Sequence, residues 1–265
     1  MILDSQVVVV SLEQIGAAEQ PELEVNIACE NPSPRIKQAA ESALIRLLGL
    51  NVDMSGFYAA ATVDVQLASL VEKFRGVKPP LYPTLFESIA NAIVFQQISL
   101  DAGISILNRF AESYGVPCDC AGGKCYLFPE AQRLAGVGAD EIRRVGLTAN
   151  KARALSECAG RIIEQNLSID DFVKMDNEMA FGELVKLRGI GGWSADYILL
   201  RGLGRYDVFP RGDIGARTRL DRWLNFEGRL SNLELENIIS RWRGYGGFVY
   251  FHLLLHGLAE RGLIA

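Results

Sequence analysis

"LRGIGGWSADYILL" (Leu187–Leu200) is the stretch whose reading decides the fold. Gly189, Gly191 and Gly192 stand immediately before an amphipathic run carrying Trp193 and Tyr197. A helix ending near Leu187 leaves carbonyls unsatisfied, and one starting near Gly192 leaves amide N–H groups pointing back at the turn. Gly189 and Gly191 are expected to supply positive φ, joining the two helices in a tight hairpin. With no β-carbons in the way, those amides and the positive helix end suit a phosphate oxygen, a contact that anchors a nucleic-acid backbone without reading its sequence. A glycine-rich corner that binds nothing has the same local pattern.

Around this hairpin the chain reads as mostly helical. The start carries two strand signals, "QVVVVSL" and "LEVNIAC", followed by an amphipathic helix in "SPRIKQAAESALIRLLGL" with Ile36, Ala39, Ala43, Leu44 and Leu47 on one face. Strand signals then fade. Thr84 and Glu87 form a Thr-x-x-Glu capping box for a helix to about Phe95, and Ser99 caps the next, Leu100–Tyr114. Further helices are expected near 129–135, 139–145, 148–165, 168–174 and 177–187, then from the hairpin to about 203, and at 214–224, 231–241 and 247–261. The fold class is α+β, predominantly α. Residues 1–50 form a small β-strand/helix region. Residues 51–265 form a helical domain of two subdomains, 83–210 and 51–82 plus 211–265, with a cleft between them.

The 265 residues carry 27 Lys plus Arg against 32 Asp plus Glu, a net charge of −5, so nucleic-acid binding must rely on a local patch. Lys151, Arg153, Arg188, Arg211 and Arg217 are the cations expected on such a face. The start lacks a basic signal region, the five cysteines are odd in number, and the longest apolar run, Phe248–Ala259, is shorter than the roughly 20 residues a membrane span needs. A cytoplasmic protein is expected. Cys118, Cys120 and Cys125 in "CDCAGGKC" have the wrong spacing for a metal knuckle and read as a surface loop. His252, His256 and Glu260 repeat every four residues on an otherwise apolar helix and read as packing residues rather than a zinc site.

Asp213 follows Gly191 by 22 residues, after Pro210-Arg211-Gly212 and before a helix, where it can serve as an N-cap. Hairpin, helix, loop and aspartate at this spacing resemble the helix-hairpin-helix superfamily of DNA glycosylases. The stretches "FESIANAIVFQQISLDAGISILNRFAESYG", "FPEAQRLAGVGADEIRRVGLTANKARAL" and "RWRGYGGFVYFHLLLH" bring it closest to the 3-methyladenine DNA glycosylase II branch, over Glu24 to the C-terminus. Arg188 stands where the family hairpin has proline, and the N-terminal β region reads as shortened against the family.

The resemblance implies a monofunctional N-glycosylase that flips alkylated purines out of damaged duplex DNA and leaves an abasic site. It implies Asp213 as the catalytic carboxylate, opposite an oxocarbenium-like sugar. Trp193, Tyr197 and Tyr245 become pocket aromatics, with core packing an alternative for Tyr197. Gln97 becomes the intercalating residue of the "QQIS" turn with Gln96 beside it. Arg188, Gly189, Gly191 and Gly192 become phosphate contacts. Bifunctional relatives carry a lysine at the position of Trp193, so no lyase activity is expected. No cofactor is required, and no iron–sulfur cluster is expected, since no cysteine follows Cys158. A Na⁺ or K⁺ ion on the backbone carbonyls of Val185, Leu187 and Ile190 is implied by the family hairpin. A monomer is expected. A glycosylase for deaminated or oxidised bases and a non-catalytic damaged-DNA-binding module are the competing readings.

Overall fold

The computed structural model describes residues 1–4, 6–16, 21–120 and 123–264, apart from the Cys120 side chain. β1 (Ile2–Leu3) pairs antiparallel with β2 (Gln6–Val7), and β3 (Val9–Gln14) with β4 (Leu23–Ala28), in the register Val9↔Ala28 to Gln14↔Leu23. The run expected as one strand breaks at Val8, which is buried while its N–H donates to the Met1 carbonyl. The helix α1 (Pro34–Leu47) starts where the sequence signals it, with Ser33 Oγ accepting from the Ile36 amide and proline in the first turn. Ile36, Ala40 and Leu44 form its buried stripe.

Residues 51–82 hold two helices that the sequence signals did not indicate, α2 (Ser55–Val63) and α3 (Val65–Lys73). The Asp64 side chain caps α3 directly after α2 ends, so one residue serves as both stop and start. α4 (Leu85–Val94) and α5 (Leu100–Tyr114) follow. The cysteine stretch is not a plain loop but an antiparallel hairpin, β5 (Val116–Cys120) with β6 (Gly123–Leu127). Its register sets Cys118 opposite Cys125 with the sulfurs 2.8 Å apart, while the Cys120 side chain lies outside the described residues.

The rest is helical: α6 (Ala139–Ile142), α7 (Ala149–Gln165), α8 (Ile169–Val173), α9 (Asn177–Leu184), α10 (Gly192–Arg201), α11 (Ile214–Trp223), α12 (Asn232–Arg241) and α13 (Gly246–Glu260). Short 3₁₀ turns at Ala131–Leu134 and Arg143–Val145 stand in place of parts of two expected helices. Ser99 and Ser231 cap α5 and α12 as their positions indicate, and Thr148, expected as the first helical residue, caps α7. At Thr84 only half of the expected box forms: Thr84 Oγ1 accepts from the Glu87 amide, while the Glu87 side chain makes no return bond among the described residues.

Two apolar cores result. One is built from α4–α10 and centres on Ile89, Ile93, Phe110, Leu155 and Ile198. The other gathers α2, α3, α11, α12 and α13 around Phe57, Leu67, Leu70 and Trp242. They meet on α10, where Leu199 belongs to the first and Leu200 to the second.

Candidate active site

The hairpin between α9 and α10 forms as the sequence indicates, but its glycines divide the work. Only Gly189 has positive φ, at 79°, and a β-carbon there would lie 2.7 Å from that of Ala154. Gly191 is an ordinary extended N-cap with φ of −95°, and a β-carbon on it would meet nothing within 4 Å. Its missing side chain therefore serves no fold requirement; it leaves the amides at the start of α10 open, and no side chain caps that end.

Asp213 sits at the N-cap of α11, half-buried, with its amide donating to the Pro210 carbonyl. Three donors converge on its carboxylate. The Ala216 amide reaches Oδ1 at 2.7 Å, Trp193 Nε1 reaches Oδ2 at 3.2 Å, and the Tyr250 hydroxyl reaches Oδ2 at 2.7 Å. Burial and the adjacent carboxylate push the Tyr250 phenol well above its usual range, which keeps it a donor. Gly212 makes the close approach possible: a β-carbon there would stand 3.0 Å from that of Trp193. Trp193 Nε1 and Tyr250 were not foreseen as partners of Asp213. They come from α10 and α13, and no local spacing signals that these helices converge on one carboxylate.

Trp193 is half-buried and stacks on Tyr197, with centroids 5.4 Å apart and 27° between the rings. Tyr197 is only 8% exposed, and its hydroxyl meets that of Tyr82 at 2.7 Å. Arg201 lies over the Tyr82 and Tyr197 rings at 5.1 and 5.9 Å. Tyr197 is thus the support behind Trp193. Tyr245 joins a different group: its ring packs 5.8 Å from Phe57, and its hydroxyl fills the space over Gly56. Among the described residues no hydrogen bond or ring contact links Tyr245 to Trp193, Tyr197 or Asp213.

In the "QQIS" turn, Gln97 is exposed and held at φ of 56°, a left-handed conformation uncommon outside glycine. Gln96 points inward instead. Its side-chain amide donates to the Gly189 carbonyl at 2.7 Å and to Ser194 Oγ at 2.8 Å, which ties the turn to the hairpin. Lys151 fastens the same turn from α7, donating to the carbonyls of Val94 and Gln96 at 2.9 and 2.7 Å, and burial holds its pKa below the usual lysine range. Lys151 is a strut rather than an outward cation. Arg188 pairs with Glu157 at 3.2 Å, Arg211 with Glu236 at 2.7 Å, and Arg217 donates to Asn232 and the Leu230 carbonyl. Arg153 is exposed.

The carbonyl oxygens of Val185 and Ile190 accept no hydrogen bond among the described residues, and that of Leu187 accepts from Ile190 N–H at 3.2 Å. These hard oxygen donors fit a monovalent cation. His252 is fully buried, its ring edge-on to Phe57 and Phe74 and its Nδ1 at 2.8 Å from the Phe248 carbonyl. No metal-binding cluster of histidine, cysteine or acidic residues occurs among the described residues, and none of their helices is long and apolar enough to cross a membrane.

Open hairpin amides thus stand beside an N-cap aspartate held by a tryptophan and a tyrosine. Residues 90–243 match the model of the HhH-GPD superfamily base excision DNA repair proteins, and the chain belongs to that family. It is 26% identical over 247 residues to a DNA-3-methyladenine glycosylase of Bacillus subtilis, covering 92% of this chain and 81% of the relative. Among solved structures, the 3-methyladenine DNA-glycosylase of Archaeoglobus fulgidus superposes with a TM-score of 0.83 at 28% identity, over 97% of this chain and 85% of the other. The 8-oxoguanine glycosylase/lyase of Clostridium acetobutylicum, solved with double-stranded DNA, shares the fold with a TM-score of 0.77 at 20% identity, over 98% of this chain and 84% of the other.

Proposed function

We propose that this chain is a monofunctional DNA N-glycosylase that extrudes alkylated purines from duplex DNA and hydrolyses the glycosidic bond, leaving an abasic site. The observation that carries the reading is the Asp213 carboxylate, held by Trp193 Nε1 and Tyr250 at 3.2 and 2.7 Å beside the open hairpin. Amides at the start of α10 take a backbone phosphate, where Gly191 leaves approach unobstructed. Gln97, exposed on a turn braced by Gln96 and Lys151, fills the gap left in the base stack. The extruded base lies on Trp193, backed by Tyr197, where an electron-poor alkylated ring gains cation–π attraction.

As the glycosidic bond breaks, positive charge grows on the sugar. Asp213 faces that charge and needs no reorganisation, because three donors already fix it. The cationic alkylated base departs neutral with the bonding electrons, and water adds at C1′ and releases its proton to solvent. Trp193 occupies the place where an amine would form a Schiff base, and its N–H is committed to Asp213, so the reaction stops at the abasic site. A monovalent cation held by the carbonyls of Val185, Leu187 and Ile190 would add positive charge toward the phosphate at the hairpin.

Duplexes each carrying one 3-methyladenine, hypoxanthine or 8-oxoguanine test the reading. Strand breaks should appear for the alkylated purine, and only after alkali. Asp213→Asn should bind the same duplexes and release no base. Breaks without alkali, or full activity in Asp213→Asn, would overturn it.

A further inference from the structure

We infer that Arg219 grips a phosphate flanking the extruded nucleotide and so sets its C1′ against Asp213. This rests on the glycosylase reading but is tested apart from it. Arg219 stands four residues after Gly215 on α11, so its side chain runs back along the helix toward Asp213. A glycine on the neighbouring helix makes a slot for it. A β-carbon on Gly257 of α13 would lie 2.8 Å from Arg219 Cδ. One on Gly215 would lie 3.4 and 3.5 Å from the two terminal nitrogens and 3.2 Å from Asp213 Oδ1. Glycine inside a helix is destabilising relative to alanine, so Gly257, in the interior of α13, marks a position kept open for the Arg219 stem.

The guanidinium is left incomplete. Its Nε is buried with no partner, and no hydrogen bond or ion pair to Arg219 occurs among the described residues. It stands at the positive end of α11, where a cation is disfavoured unless an anion accompanies it. Asp213 is the nearby anion, yet its oxygens accept from Ala216, Trp193 and Tyr250. Meanwhile Lys151, Arg188, Arg211 and Arg217, four of the five cations expected on the DNA face, are engaged with protein oxygens, and the fifth, Arg153, is exposed on α7. A flipped nucleotide brings a phosphate on each side of its sugar toward the Asp213 carboxylate, and like charges repel. A planar fork of donors between them removes that repulsion and fixes the sugar's orientation.

The test measures binding to a duplex holding a tetrahydrofuran abasic analogue across a range of salt. Wild type, Arg219→Met, Arg219→Lys and Gly257→Ala are compared, each with normal or neutral methylphosphonate linkages flanking the analogue. Arg219→Met should bind about 10- to 100-fold more weakly, with a salt slope shallower by about one. Arg219→Lys should recover part of the loss. Gly257→Ala, which displaces the side chain while keeping its charge, should resemble Arg219→Met. One methylphosphonate should weaken wild type but leave Arg219→Met unchanged or tighter, since it also lifts the repulsion from Asp213. Equal methylphosphonate penalties in both proteins, or wild-type affinity and slope in Arg219→Met, would overturn the assignment. If Arg219→Met does not fold, Gly257→Ala and the wild-type methylphosphonate penalty decide. Since no bond is cleaved, absence of base excision by wild type would sink the glycosylase reading while leaving this coupling intact.

Discussion

Tyr250 on α13 donates its hydroxyl to Asp213 Oδ2 at 2.7 Å, across 37 residues of sequence. The contact joins the last long helix to the N-cap of α11, and its phenol is held protonated by burial and by the carboxylate itself. The same Asp213 oxygen takes Trp193 Nε1, so helices from both apolar cores aim one carboxylate.

Tyr250→Phe removes that donor and little volume. A hydrogen bond to a charged acceptor contributes about 1.5–3 kcal/mol, so single-turnover excision should slow about 10- to 100-fold with lesion-duplex affinity unchanged. An unaltered rate would mean that the phenol plays no part in aiming Asp213.

Gly212→Ala places a methyl 3.0 Å from Trp193 Cβ. The loop must give way by a few tenths of an ångström, which moves Asp213 without disturbing either core. Excision should fall about tenfold, reflecting misplacement rather than unfolding. Thermal melting should stay close to wild type while the fluorescence of Trp193 changes. A large drop in melting temperature would instead place the defect in the fold.

Gln97→Gly relieves a left-handed backbone at φ of 56°, a strain of about 1 kcal/mol, against the extra freedom that glycine gives the unfolded chain. Stability in denaturant titrations should be unchanged or higher by up to about 1 kcal/mol. Affinity for a duplex with an abasic analogue should drop about tenfold, because nothing fills the gap. Undiminished affinity would remove Gln97 from the interface.

Burial pushes the Glu87 carboxyl up to about 7 from its ordinary 4.5. Between these values the folded chain holds more protons than the unfolded one, so this group lowers stability as pH rises through the window. Glu87→Gln should match wild type at pH 4 and exceed it by on the order of 2 kcal/mol at pH 8, the full shift being reduced by partial solvent screening. Chemical denaturation at several pH values measures the difference. Equal stabilities at pH 8 would show that Glu87 reaches water freely.

What the sequence made legible was local. Ser99 and Ser231 announce helix starts because a cap acts on an amide within three residues. Gly189 and Asp213 stand out because hairpin, helix and N-cap follow each other along the chain. The roles of Tyr250 and Arg219 depend on how α11 and α13 lie together, which no spacing records. Lys151 and Gln96 mislead for a related reason: a polar side chain on a turn looks outward until the carbonyls it satisfies are known. The β5–β6 hairpin was hidden by Pro117, Asp119, Gly123 and Lys124, residue types depleted in strands. Tyr245 carried a motif position but packs over Gly56, because α2, unseen in the sequence, occupies the space beside it.

Leu199 and Leu200, adjacent on α10, are rooted in different cores. One continuous rod therefore runs through both halves of the protein and carries Trp193 at its tip. Such a spindle resists hinging, since parting the halves would mean snapping a helix or stripping one leucine from its surroundings. The burden of adjustment on encounter passes to the duplex, which must kink to present its lesion to a stiff jaw. Small-angle scattering of the protein component, with the nucleic acid contrast-matched, should accordingly give one profile before and after binding.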